Sequence, residues 1–363
     1  MGERQKSSRN SNIEFLRILC MALIIMGHFI EQTEAMTLSS CMVISVLMGS
    51  GLRIAVNIFI LVGSWFMIDR RFEASRVLKL YGNILFYTVS VSLFLLLFYN
   101  ISLTNLVRNL FPFVGGALWY GSAYIALMLL APFLNCIIEI DRRKLQLSLF
   151  ILFFLLCIET MIRPMIDDWM SWILWFSYLY VCVGYYKKYI YGNEVVKKWI
   201  LLIIGVSVYL LMCLVLIYCK LDNRIPSFAG NLIHRYLHEI FVAPNILVAA
   251  SVFLFFIQLK QPLFKNKKTL EIVNAIAKPT FSVYIFHQVP GFYEFLWMSV
   301  LKCYLWINTS WYPIGLILIV VILYAVVGVV DFLIRIPMEK KWIRSHLFIK
   351  VKEILNDLYQ DYI

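Results

Sequence analysis

Charge is what this sequence has least of. Of 363 residues only 15% are charged, while 62% are hydrophobic and 16% aromatic. A soluble domain carries about 25% charge with roughly half its residues apolar, so this chain has too little polar surface to face water all round. A soluble enzyme and a disordered chain are both excluded. The formal charge of +12 would suit nucleic acid only if basic residues lined one face. They sit instead in clusters between apolar runs, and no nucleic-acid partner is expected. Cysteine chemistry is also missing: the eight cysteines form no CxxC pair and no disulfide framework. Cys20, Cys157, Cys182 and Cys213 lie within apolar runs, where a thiol acts as a small hydrophobe, and sequence alone cannot pair Cys41 with Cys303. The first apolar run is followed by no small-residue cleavage site, so it is not read as a cleavable signal peptide. Internal repeats, low-complexity linkers and a second domain are absent.

What the chain does have is long apolar runs. A membrane-crossing helix needs about 20 mostly apolar residues, and ten segments qualify: 12–31, 40–68, 77–99, 117–138, 145–162, 170–186, 199–219, 239–259, 279–301 and 313–336. The second is too long for one upright crossing and too short for two. Gly49-Ser50-Gly51 is the expected break, leaving a spanning piece from Arg53 to Ile68. With the N-terminus inside, the inner segments take most of the 33 Lys and Arg, beginning with Arg4, Lys6 and Arg9, while the outer loops hold Arg108, Arg163, Lys220, Arg224, Arg235 and Lys302. That bias places both termini in the cytoplasm. The expectation is an all-α polytopic membrane bundle of about ten transmembrane helices over residues 1–336. A basic amphipathic tail over 337–363 would then rest on anionic lipid.

Ionisable residues inside a crossing are costly and therefore candidates for function. In the first span Arg17 and His28 are eleven residues apart, which is three turns plus about 20°, so they share a helix face about 16 Å apart. Glu14 precedes Arg17 by three positions and can pair with it. This face carries an acid, a guanidinium and an imidazole, and it puts His28 at or beyond the bilayer centre. A histidine there, with an ordinary pKa of about 6.5, suits proton transfer. The ninth span offers Ser282, Tyr284 and His287 before Pro290-Gly291. His287 is either a packing residue above a kink or a functional one, and the kink should free backbone carbonyls that only protein or water can cover. His234 and His238 are one turn apart in an outer loop, a spacing that can ligate metal. No further ligand is near, so no metal is expected. The inner loop Asp69-Arg70-Arg71-Phe72-Glu73-Ala74-Ser75-Arg76-Val77-Leu78-Lys79 is explained by orientation alone, yet it is also the kind of cluster that a phosphorylated ligand requires.

Together these features resemble the acyltransferase-3 family of integral-membrane enzymes. The resemblance rests on Arg17 and His28 with ten residues between them and on the aromatic stretch from Ile58 to Trp65, with Gly63-Ser64 reversed from the family order. It rests further on Arg76-Val77-Leu78-Lys79, where Lys79 replaces an Arg, on Leu118-Trp119-Tyr120 followed by Leu130 to Asn135, and on Phe281 to His287. It covers about residues 12 to 340. It implies transfer of an acyl group, acetyl foremost, from cytoplasmic acetyl-CoA to a hydroxyl of a surface or lipid-linked glycan in a bacterial plasma membrane. It also implies that His28 is catalytic with Arg17 and Glu14 in support, and that Arg71, Arg76 and Lys79 hold the CoA phosphates. Tyr284, His287, Ser282 and Trp119 would contact substrate. The rival reading is a proton-coupled transporter or glycan exporter, for which broken helices at Gly49–Gly51 and Pro290-Gly291 would serve. A purely structural membrane subunit would leave the Arg17–His28 face without a task.

Overall fold

Among the described residues helices account for all the regular structure, as a chain without water to satisfy its backbone requires. The computed structural model describes residues 10–360 apart from 38–39, 100, 114–117, 163–168, 223–224 and 308. Arg4, Lys6, Arg9, Arg163 and Arg224, with the side chains of Cys157, Arg235 and His238, lie outside the described residues. In chain order the helices are α1 (Ser11–Gln32), α2 (Met42–Gly49), α3 (Gly51–Met67), α4 (Ala74–Phe98), α5 (Leu103–Leu110) and α6 (Trp119–Ile138). Next come α7 (Arg142–Ile162), α8 (Trp169–Tyr189), α9 (Lys198–Leu221), α10 (Ser227–His238) and α11 (Ala243–Ile257). The last are α12 (Lys267–Ala277), α13 (Thr280–Gln288), α14 (Tyr312–Val330), α15 (Ile336–Ile343) and α16 (His346–Gln360). Among the described residues six helical rods are long and apolar enough to cross a membrane: α1, α2 with α3, α4, α6, α9, and α14 with α15. The protein is a multi-pass membrane protein.

α1 is the axis of the bundle. Asn10 starts it, its side chain accepting from the backbone N–H groups of Asn12 and Ile13 at 3.1 and 3.4 Å. Buried Asn12 then clips the loop after α11 by donating to the Gln261 carbonyl (3.0 Å) and accepting from the Leu263 N–H (2.8 Å). α1 packs against α2, α3, α12 and α14, and residues from Ile13 to Ile30 on its inner face are almost wholly buried. The outward faces of α4, α7, α9 and α14 carry exposed Leu, Ile, Val and Phe instead, the apolar surface that a lipid-facing helix presents.

Both expected breaks are present. α2 and α3 meet at Ser50, and α13 ends at Gln288 ahead of Pro290 and Gly291, whose φ of +79° only glycine adopts easily. The Pro290 carbonyl is covered by the Asn109 side-chain amide of α5 at 3.0 Å. A π-helical segment, Asp331–Arg335, joins α14 to α15, absorbing the backbone donor that Pro337 lacks. The tail packs against the bundle along one side. α15 continues the last rod, Trp342 packs against Gly82 of α4, and α16 lies along α4. Cys41 and Cys303 are both buried thiols.

Candidate functional site

Two cavities share walls from α3, α4 and α6, the first lined also by α1 and the second by α8. The inner one, about 350 Å³, runs from Glu14 and Arg17 at one end of α1 to His28 and Arg53 at the other. Its middle is walled by Trp119, Tyr120, Tyr124 and Tyr284. Arg17 and His28 thus open into one space, as the helix period required, and Glu14 holds Arg17 at 3.0 Å. His28 lies one turn from the end of α1.

The surroundings of His28 are more specific than its spacing foretold. Its Nδ1 lies 3.2 Å from Glu31 Oε2 and 3.2 Å from the Tyr293 hydroxyl, and Arg53 holds the other oxygen of Glu31 at 3.1 Å. An ionised carboxylate only accepts, so it places the imidazole proton on Nδ1 and leaves Nε2 with the basic lone pair. Glu31 was legible as a residue one turn beyond His28, but it was not singled out. Tyr293 carried no sequence signal, because the break at Pro290-Gly291 is what carries it back to α1. His287 is completely buried, with its ring centroid 5.6 Å from that of His28. Its Nδ1 sits 2.6 Å from the Val283 carbonyl, and its Nε2 has no partner among the described residues. The carbonyl fixes this tautomer too, so Nε2 carries the lone pair.

The remaining expected contacts divide. Trp119 lines the cavity and packs on Trp172 at 4.2 Å; Tyr284 lines it edge-on to Tyr120 at 5.2 Å. Ser282 faces the other way. Its hydroxyl donates to Asp331 (2.9 Å) and receives the Asn83 amide (3.1 Å), in a buried network where Tyr87 and Arg335 also hold Asp331 at 2.6 and 2.5 Å. Such a carboxylate tolerates burial because each oxygen is bonded and a guanidinium balances its charge, and Ser282 is occupied in that task.

The second cavity, about 610 Å³, abuts the first: Met67, Val77 and Met128 line it one step or one turn from Phe66, Leu80 and Tyr124 of the inner cavity. Gly63 lines the inner cavity one turn before Met67 of the outer one. A Cβ at Gly63 would lie 2.6 Å from the Tyr124 hydroxyl, so glycine is what admits the tyrosine. Five basic residues line this outer space, Arg70, Arg71, Arg76, Lys187 and Lys188, facing three acids, Asp69, Glu73 and Glu139. Arg76 pairs with Glu73 at 3.0 Å, Lys188 with Glu139 at 2.7 Å, and Lys187 with Asp69 while donating to the Trp65 carbonyl at 2.8 Å. Glu73 is held below the usual carboxylate range, first by the Ser75 hydroxyl at 2.6 Å and also by the charges of Arg76 and Lys79. Lys79 itself is exposed on α4 and outside the lining. Among the described residues no cluster of three potential metal ligands occurs.

A family model described as an acyltransferase domain matches residues 10–329. No curated protein and no solved structure matches the chain.

Proposed function

Because the chain belongs to that acyltransferase family, we propose that it is a membrane O-acyltransferase, moving an acetyl group from cytoplasmic acetyl-CoA to a hydroxyl of a surface or lipid-linked glycan. In this reading the chain crosses a cell membrane ten times, with both termini and the larger cavity facing the cytoplasm. The single observation that carries the reading is the cavity holding His28 against Glu31 at one end and meeting the basic outer cavity at the other.

An alcohol is a poor nucleophile until a base removes its proton. His28 Nε2 takes that proton while the hydroxyl oxygen attacks the thioester carbonyl. The tetrahedral intermediate collapses, the CoA sulfur leaves, and the proton on His28 passes to it, so the base is restored. Glu31 keeps the imidazole in the required tautomer and balances the imidazolium that forms. A positioned histidine contributes about 10²–10⁴-fold to such a step. The donor phosphates lie with Arg71 and Arg76, with Lys79 adding charge from the rim. The pantetheine arm extends past Gly63 and Tyr124, over a distance comparable to the roughly 16 Å between Arg17 and His28. Arg17, held by Glu14, lies beside that arm; Trp119, Tyr284 and His287 bound the acceptor's end. Arginine at the phosphate sites fits, since its fork matches phosphate oxygens in pairs.

The test is transfer of labelled acetyl from acetyl-CoA to glycan in membranes containing the protein. A well-expressed His28→Ala variant is expected to lose about 10²–10⁴-fold in rate; an undiminished rate would remove His28 from the chemistry.

A further inference from the structure

Residues 346–360 lie beyond the family match, which ends at 329, yet they touch the most basic part of the outer cavity. The first N–H groups of a helix have no partner inside it and need an acceptor from elsewhere. At the start of α4 the capping residue, Glu73, makes no side-chain cap; its carboxylate is engaged by Ser75 and Arg76. The acceptor comes from the other end of the chain: Asn356 Oδ1 of α16 takes the Ala74 N–H at 3.0 Å. One turn further on, Tyr359 stacks face to face on Phe72, with centroids 3.8 Å apart and planes 17° apart. The Tyr359 hydroxyl donates to the Leu129 carbonyl of α6 at 2.9 Å. Phe72, Glu73 and Arg76 all line the outer cavity. α16 is itself anchored, since Phe348 is buried and meets Trp342 edge-on at 4.8 Å, and Trp342 lies against Gly82 of α4.

We infer that α16 braces the wall of the donor cavity from behind, and that Asn356 and Tyr359 are positioning residues which hold the Arg71–Arg76 segment in the geometry that receives a phosphorylated donor. The inference rests on the outer cavity being the donor site. Two features make this more than tail packing. Asn356 supplies a side-chain acceptor to the start of the helix that carries Arg76, and Tyr359 bridges two walls of the cavity, Phe72 on one side and α6 on the other. With the tail detached, the segment bearing both arginines would lose its cap and its stacking partner, and their forks would no longer be held for paired phosphate contacts.

The experiment is equilibrium binding of labelled acetyl-CoA to the full-length protein in lipid nanodiscs, with thermal unfolding recorded on the same samples. Asn356→Ala and Tyr359→Ala are each expected to weaken binding about fivefold, the scale of a lost helix cap. Asn356→Asp keeps an acceptor oxygen over Ala74 and is expected to restore affinity to within about twofold. Tyr359→Phe keeps the stack, loses the bond to Leu129, and is expected to fall between Tyr359→Ala and the unaltered protein. Unchanged affinity in Asn356→Ala and Tyr359→Ala, beside a clear loss in Arg71→Ala and Arg76→Ala, overturns the role of α16 and leaves the donor site standing. Unchanged affinity in the arginine variants as well overturns the donor site. A loss in Asn356→Ala that Asn356→Asp does not repair overturns the capping role. Should Asn356→Ala fail to fold, Tyr359→Phe decides: no change in its affinity counts against the inference.

Discussion

The cavity around His28 is walled by tyrosines and aliphatic side chains, and its charges are confined to the paired ends, Glu14 with Arg17 and Glu31 with Arg53. The cavity at Arg71 and Arg76 is larger, and basic and acidic groups alternate around it in ion pairs. In the first space a proton acceptor is fixed by the groups bonded to it, Glu31 and Tyr293. In the second, flexible charged side chains exchange partners at low cost, as surface ion pairs contribute little, so an incoming phosphate can displace a carboxylate. In the proposed reading one cavity serves the chemical step and the other holds a charged ligand.

If that division is right, changes in the two cavities should separate rate from affinity. The largest effect is expected at Glu31. Glu31→Gln retains size but offers an amide to Nδ1, and labelled acetyl transfer should fall by about 10²-fold with acetyl-CoA binding little altered. Gly63→Leu tests the proposed path of the pantetheine arm, since even a Cβ there meets Tyr124. Transfer should fall at least about tenfold, because a 1 Å misplacement of reactants costs on that scale or more, while a donor bound outside is retained. Arg76→Ala should weaken acetyl-CoA binding about tenfold, through lost charge-assisted bonds, and transfer should recover at high donor concentration. The smallest effect is expected at Glu73. Its depressed pKa means that its pairing with Ser75 and Arg76 stabilises the fold above the ordinary carboxylate value of 4.5, and that this is lost as pH falls through the lowered one. Glu73→Gln should flatten that acid limb in thermal unfolding and change donor affinity by no more than about twofold.

The two cavities also differ in how far the sequence foretold them. Helical periodicity put Arg17 and His28 on one face because both lie on a single uninterrupted helix. The broken ninth span was marked by Pro290-Gly291, and its freed carbonyl found cover in Asn109. Contacts made across that break were not legible: no local pattern brings Tyr293 or the ring of His287 to His28. The resemblance implied a substrate contact for Ser282; the partner it has in the structure, Asp331, lies 49 residues onward, beyond the reach of any local pattern. The tail shows the limit of amphipathicity, which reports that one face is apolar and not whether lipid or protein covers it. Only the packing of Trp342 and Tyr359 decides that for α15 and α16.

The most direct measurement pairs binding and transfer in a single variant. His28→Ala, purified at full length, should bind labelled acetyl-CoA within about twofold of the unaltered protein while its acetyl transfer falls by about 10²–10⁴-fold. Loss of both together, or transfer that survives the substitution, would contradict a division between a cavity that holds the donor and a histidine that performs the reaction.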